Sequence, residues 1–434
     1  MRKHLLYPCL AIFPVLMFLI FPAPPLSRAA GVWYVAPFGN DLNDCLSKST
    51  PCASIKGALD RAVSGDLIKV AVGTYGGAAD WVVTIDKDID LSGGWNSGFT
   101  KKVGHSVIDG EHTRGGVFII SDTVVTIDHF VIQNGKRDDS GGAGINNEGV
   151  LTLTYSVVQN NEGGPYCGGG GIANYYQELT INWSTIRDNF CSYLGQGGGI
   201  FNKSAQLTIN NSTISGNRSA SGGGIYNTGN VIINNSTISG NEVQFGSSDS
   251  YGGGIFNFSS VLDIHNTTIT GNEGAQSGGG IYFNTTYGGS RKLENSIVAG
   301  NSANSGPDCS GTVQSEGYNL IGSISGCNYD SMPGDRIGVD PLLGPLDDNG
   351  GPTFTHALLV GSPVIDGGNP NGCRDDQGNL FTTDQRGFTR PLDGNDDGAY
   401  ICDAGAYEYS PPELIFLPAV IRSGFGSLAI VEDD

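Results

Sequence analysis

Gly197–Asn217 reads GGGIFNKSAQLTINNSTISGN, and the chain repeats it. Gly222–Asn241 reads GGGIYNTGNVIINNSTISGN, and Gly252–Asn272 reads GGGIFNFSSVLDIHNTTITGN. Further copies run from Gly141 to Asn161, Gly168 to Asn189 and Gly278 to Asn301. The Ile after each glycine run marks the copy: Ile145, Ile172, Ile200, Ile225, Ile255 and Ile281, spaced 27, 28, 25, 30 and 26 residues apart. A motif returning at this period implies a solenoid, a propeller or another repeat array. Within a copy, Leu207, Ile209 and Ile214 alternate with Thr208, Asn210 and Ser215, which is the period of a strand. No copy holds helical spacing long enough for a helix, and four propeller strands need about 40 residues. One coil of a parallel β-helix remains, with coils stacked about 4.8 Å apart.

Aligned copies give columns. Leu153, Ile181, Ile209, Ile233, Ile264 and Leu293 form one inward aliphatic column, and Val158, Ile186, Ile214, Ile238, Ile269 and Val298 form a second. Ser156, Ser184, Ser212, Ser236, Thr267 and Ser296 lie between them. Every copy closes on Asn: 161, 189, 217, 241, 272 and 301. Stacked Asn side chains can hydrogen-bond from coil to coil, and the glycines suit bends at positive φ or close backbone contact. The repeat over 141–301 resembles the polymorphic outer-membrane-protein repeat, and the whole resembles pectin-lyase-like right-handed parallel β-helices. That scaffold hosts both enzymes and inert stalks. The expected fold is all-β: a right-handed parallel β-helix with an N-terminal helical cap and an irregular C-terminal cap.

Residues 1–30 read as a secretory leader, with Arg2 and Lys3 ahead of apolar Leu5–Phe21 and small residues near Ala29. Residues 31–75 read as the N-terminal cap and first coil. There Ser54 can N-cap a short helix whose Ile55, Ala58, Leu59 and Ala62 share one face, with Gly65 ending it. Residues 76–318 hold the coils. From 301 to 434 the chain has 20 Asp+Glu against 5 Arg and no Lys. Within it, Asp340-Pro341, Leu346–Pro352, Thr355–Leu358, Asp384-Gln-Arg-Gly387, Arg390-Pro391 and Ala406-Tyr-Glu408 resemble the choice-of-anchor Q domain. That resemblance spans 319–410 and implies a surface protein; Asp384 and Arg386 are expected to pair. The tail 411–434 carries apolar Leu414–Ile421, too short to span a bilayer, so no membrane span is expected in the mature chain.

Beyond the leader lie eight cysteines, and an even count in an exported chain points to disulfides. Their order favours the local pairs Cys45–Cys52, Cys167–Cys191, Cys309–Cys327 and Cys373–Cys402. The full chain has a net charge of −20, and removing Arg2, Lys3 and Arg28 takes it to −23. That disfavours nucleic acid and anionic lipid as partners.

A lyase or glycosidase needs charged side chains on outward columns of neighbouring coils. Those columns are mostly neutral, with Asp263 and His265 read as solvated, so no catalytic residue is assigned. His105, Asp109, Glu111, His112 and Arg114 are a minor candidate cluster in the irregular coils. Asp393, Asn395 and Asp397 match the opening of an EF-hand loop, but position 12 is Ala404, leaving a noncanonical Ca²⁺ site as the sole cofactor candidate. Asn-x-Ser/Thr matches such as Asn211-Ser-Thr213 and Asn235-Ser-Thr237 follow the coil bend and read as structural. Phe201, Tyr226, Phe256 and Tyr282 follow the marker Ile and should point outward as an aromatic stripe. Sugar stacking and self-stacking under a cover are the two readings of that stripe.

The expected function is an exported, non-catalytic cell-surface or adhesin-like protein, secreted or surface-bound, with extracellular carbohydrate or a cell-envelope component as partner. A polysaccharide lyase or glycosidase is the first alternative, and a carbohydrate-binding module using the stripe is the second.

Overall fold

One coil shows how the repeat folds. Ile200–Lys203 forms a strand on a first face, Gln206–Asn210 on a second and Thr213–Ser215 on a third, with a two-residue strand, Arg218–Ser219, before the next glycine run. Each strand pairs in parallel with its counterparts in the neighbouring coils. Ile200 lies between Ile172 and Ile225, Leu207 between Leu179 and Val231, and Ile214 between Ile186 and Ile238. The computed structural model, which describes residues 30–139, 141–244, 250–258, 261–284 and 288–411, is therefore a parallel β-helix. Its first two faces merge into one 20-stranded sheet, and the third face is an 11-stranded sheet. The leader and the apolar segment Leu414–Ile421 lie outside the described residues.

The marker column is in register from Ile145 to Ile281, as the spacing requires. Both aliphatic columns point inward and are at most 2% exposed, each side chain contributing about 1.5–3 kcal/mol by burial. At one corner the serines of the third column cap the neighbouring coil: Ser184 Oγ accepts from Ser156 N (3.1 Å) and donates to Asn182 O (2.8 Å). The first glycine of the run takes positive φ, 67° at Gly197. At Gly199 a Cβ would meet Gly224 O of the next coil at 2.7 Å. Side chains are excluded there by contact between coils.

The closing asparagines form a buried ladder. Asn161 Nδ2 donates to Asn189 Oδ1, Asn189 to Asn217, Asn217 to Asn241, Asn241 to Asn272 and Asn272 to Asn301, at 2.8–2.9 Å. All the bonds run one way. The last donor, Asn301, ends on Asp308 Oδ1 (2.9 Å), which accepts from it. A second buried ladder, Asn147–Asn174–Asn202–Asn227–Asn257, runs inside the first face. The corner asparagines Asn211, Asn235, Asn266 and Asn295, the first three of them Asn-x-Thr matches, form neither ladder. They turn the corner with φ of 48–50°. Asn235 and Asn266 are fully buried, which suits the structural reading.

At the N-terminal end, Ser54 Oγ accepts from Gly57 N (2.9 Å) and caps the helix Ile55–Leu59, whose Ile55, Ala58 and Leu59 close the core. At the other end, Cys309–Gly317 and Cys327–Asp330 form the last rungs. The chain then turns back along the third face. Thr237 Oγ1 donates to Gln385 Oε1 (2.6 Å), Gln385 Nε2 donates to Thr213 Oγ1 (2.9 Å), Ser239 Oγ bonds His356 Nε2 (2.8 Å), and Thr268 Oγ1 accepts from Ala406 N (3.1 Å). The C-terminal region thus covers the coils built on residues 211–298 rather than only closing an end. Asp384 and Arg386 pair inside it (2.6 Å).

All four expected disulfides are present, with Cα separations of 5.0, 5.9, 5.6 and 6.1 Å. Two of them, Cys309–Cys327 and Cys373–Cys402, lie where the repeat has lapsed. A loop of this size contributes about 3 kcal/mol by the chain-entropy argument, whereas the coils keep their own core. Reduction should therefore expose residues 302–410 to limited proteolysis before the coils open. First cleavage between Gly197 and Asn301 would contradict this.

Candidate functional site

The stripe stands on the outer side of the first face, in strand register from coil to coil. Its rings stack along the solenoid axis: Tyr226 on Phe256 at 4.6 Å and 8°, Phe256 on Tyr282 at 5.2 Å and 15°, Phe201 near Tyr226 at 5.6 Å and 32°. Phe201, Tyr226 and Phe256 are 6–8% exposed. Ring faces in mid-stripe are occupied by neighbouring rings, so edges are what they present. Tyr251 stacks on Tyr282 (4.4 Å) and, with Phe258, Gln196, Ser221 and Asn284, lines a slot of about 250 Å³ beside the stripe.

Toward the N-terminal end the same outward column continues as Ala173, Asn146 and Phe118. The aromatic run is broken there, and a groove of about 610 Å³ opens. Trp81 and Phe118 stack at 5.5 Å on one side, and Tyr175 meets Phe201 edge-on at 5.9 Å on the other. One wall is Tyr166-Cys167-Gly168 with Gln196, loops tied together by Cys167–Cys191. Tyr166 and Tyr176 stand at the rim, 68% and 66% exposed. Polar groups alternate with these rings. The Arg137 guanidinium lies 4.8 Å over Trp81 and pairs with Asp139. Asn146 Nδ2 donates to Glu148 Oε1 (3.4 Å), and Lys203 Nζ stands 5.7 and 6.0 Å from the Tyr175 and Tyr176 rings. Burial, with Asp139 and Glu148 nearby, pushes the Tyr175 hydroxyl up to about 12, so it stays protonated. Apolar ring surface with a few fixed hydrogen-bonding groups is the lining of a small-molecule binding site.

No family model matches the sequence, and no curated protein matches it. Solved structures are similar to it in fold. A crystal structure titled pectate lyase Pel9A aligns at 14% identity and TM-score 0.48, over 88% of this chain and 98% of that one. A rhamnogalacturonan lyase aligns at 11% and 0.34, over 77% and 96%.

Sequence reasoning placed the stripe but missed Trp81, Phe118, Arg137, Tyr175 and Lys203. Trp81 and Phe118 belong to irregular early coils with no readable register. Tyr175 and Lys203 pair across strands three residues after their marker Ile, a position where the copies differ, so no column drew attention to them.

Elsewhere, His265 corrects one expectation. It is 7% exposed rather than solvated, and its Nδ1 lies 3.4 Å from Glu294 Oε2. Segment 369–376 covers that corner: Asn266 Nδ2 donates to Arg374 O (2.8 Å), Asn234 Nδ2 to Asp376 Oδ1 (3.0 Å) and Asn369 Nδ2 to Glu294 Oε1 (3.5 Å). The run 105–114 does not converge: Glu111 pairs with Arg114, while His105 Nε2 bonds Tyr155 O (3.0 Å). In the calcium-loop candidate, Asp393 accepts from Asp397 N and Gly398 N, and Asn395 accepts from Asp397 N, so these oxygens shape their own turn. Among the described residues, no three His, Cys, Asp or Glu side chains are grouped to hold a metal.

Proposed function

We propose that this chain is an exported surface protein that binds carbohydrate in the first-face groove without cleaving it. The observation that carries the reading is the groove between Trp81–Phe118 and Tyr175–Phe201, where rings from successive coils alternate with Arg137, Asp139, Asn146, Glu148 and Lys203. Its carboxylates are engaged, Asp139 by Arg137 and Glu148 by Asn146, whereas glycoside cleavage calls for one carboxyl as acid and an opposed carboxylate as base or nucleophile. Four disulfides support an oxidising compartment. The C-terminal resemblance to choice-of-anchor Q supports a surface location, with residues 319–410 as the attachment region. A Ca²⁺ ion at Asp393, Asn395 and Asp397 would brace that region; it has no part in the groove.

Affinity electrophoresis on a polysaccharide panel tests this. At least one polysaccharide should retard the protein, and a Trp81→Ala/Tyr175→Ala variant should weaken that binding about tenfold or more. Retardation by none would end the binding claim. Release of reducing sugars or unsaturated products would end the non-cleaving claim and favour the enzyme alternative.

A further inference from the structure

The third face differs between its two halves. Over residues 211–298 it is covered by the C-terminal region. Four of the five earlier rungs are Ser106–Asp109, Phe130–Gln133, Val157–Gln159 and Thr185–Arg187, where Val107, Val131 and Val157 are half-buried and Thr185, nearest the C-terminal region, is 9% exposed. Those rungs carry three parallel columns. At the corner stand His105, His129, Tyr155 and Trp183, with ring centroids 5.8, 5.2 and 6.1 Å apart in succession. Beside them, in strand register, come Val107, Val131, Val157 and Thr185, then Asp109, Gln133, Gln159 and Arg187.

The polar column is preset. Gln133 Nε2 donates to Asp109 Oδ2 (2.9 Å), Gln159 Nε2 donates to Gln133 Oε1 (3.1 Å), and Arg187 Nε and Nη2 donate to Gln159 Oε1 (3.0 and 2.7 Å). Burial opposes ionisation of Asp109, but hydrogen bonds from Gln133, Glu111 N and Asn134 outweigh it and hold its carboxyl below the usual range. Arg187 lies against Asp188 (Nη1–Oδ2 4.0 Å), and Asp128 pairs with Lys102 and His129. The strip ends against the C-terminal region, where a Cβ on Gly387 would touch the Trp183 ring at 3.8 Å.

We propose that this strip is a second carbohydrate site, holding an extended, neutral β-linked glycan lengthwise along the solenoid. A pyranose presents an apolar C–H face flanked by equatorial hydroxyls, which matches aromatic and valine columns flanked by amides. The rungs repeat about every 4.8 Å, close to the length one residue adds to an extended β-linked chain. The three rungs with half-buried valines therefore take three residues, and the C-terminal region closes the strip at Thr185 and Trp183. Side chains already held by one another lose little freedom on binding. With Lys102 and Arg187 beside carboxylates and Asp109 in the polar column, the strip favours a neutral ligand over an anionic one. The strip continues, along the same columns, the surface on which the C-terminal region already docks.

Neutral β-1,4-linked gluco-, xylo-, manno- and chito-oligosaccharides of two to six residues are the probes, titrated calorimetrically into the full chain. At least one series should bind, with affinity rising to the trisaccharide and levelling beyond it. Val157→Arg should weaken it about tenfold or more. Val131→Lys, at another outward position, should do the same if Val157→Arg folds poorly. The groove variant Trp81→Ala/Tyr175→Ala should leave this binding in place, which separates the two sites. No binding in any series would overturn the proposal, as would binding lost in the groove variant but kept in Val157→Arg and Val131→Lys.

Discussion

Replacing Asn217 by alanine is expected to cost about 4 kcal/mol of stability, far more than its single side-chain amide suggests. Asn217 Oδ1 accepts from Asn189 N (3.0 Å) and Asn189 Nδ2 (2.9 Å), and its Nδ2 donates to Ile186 O and Asn241 Oδ1 (both 2.9 Å). The side chain is fully buried. Truncation takes a bond from four buried polar groups in the two flanking coils; Asn189 Nδ2 keeps Val158 O and Asn241 Oδ1 keeps Asn217 N, and each group left without a partner costs about 1–3 kcal/mol. A water entering the vacated space offsets part of that sum. Asn217→Asp should be no milder, because it sets a carboxylate oxygen against Ile186 O and Asn241 Oδ1. The control is Asn210→Ala. Asn210 also sits in a ladder, between Asn182 (2.9 Å) and Asn234 (3.1 Å), but half-buried on the outer side of the second face, so its loss should cost under about 1 kcal/mol. Urea denaturation of the three variants decides it. Equal midpoint shifts for Asn217→Ala and Asn210→Ala would mean that the buried ladder does not hold the coils together.

The sequence made the coil legible because one short motif repeats with its inward residues in place. The marker Ile, both aliphatic columns, the Ser column and the closing Asn ladder could all be aligned by eye. The second Asn ladder, Asn147 to Asn257, repeats as regularly. It went unread because alternation equates inward with apolar, and an inward Asn is tolerable only when its amide bonds the next one. The stripe's outward direction followed from alternation, but its burial did not, since that depends on Tyr175, Tyr251 and Phe258 coming from bends outside the motif. Contacts across long separations were not legible at all. Gln385 meets Thr237 across 148 residues and Thr213 across 172, and the cover over His265 has the same origin. A local pattern states which way a side chain points, and only the folded chain states what lies on top of it.

Arg390→Met is expected to release the C-terminal region while leaving the coils folded. Arg390 is 2% exposed and Glu408 1%. Arg390 Nε donates to Glu408 Oε2 (2.7 Å), Nη2 to Gly405 O (2.9 Å) and Nη1 to Asn235 Oδ1 (3.2 Å), joining the C-terminal region to a coil corner. Without the guanidinium, Glu408 is left buried beside Asp403, whose carboxyl is already pushed up to about 8 by burial and by Glu408. Breaking a buried pair from one side costs about 3–5 kcal/mol, chiefly through the stranded charge. That loss falls on a region whose hold on the coils is a set of hydrogen bonds from Gln385, Thr353, His356, Arg374 and Ala406. The coils keep their own columns and ladders, and in a solenoid each coil answers mainly to its neighbours. Limited proteolysis of the variant should therefore cut between 338 and 411 and leave a β-rich fragment containing Gly197–Asn301. Adding Glu408→Gln, which removes the charge but keeps an acceptor for one of the two donors Asp403 N and Leu392 N, should recover part of the protection. Cleavage starting within Gly197–Asn301, or a double variant no better protected than Arg390→Met, would show that the stranded carboxylate is not what opens the region.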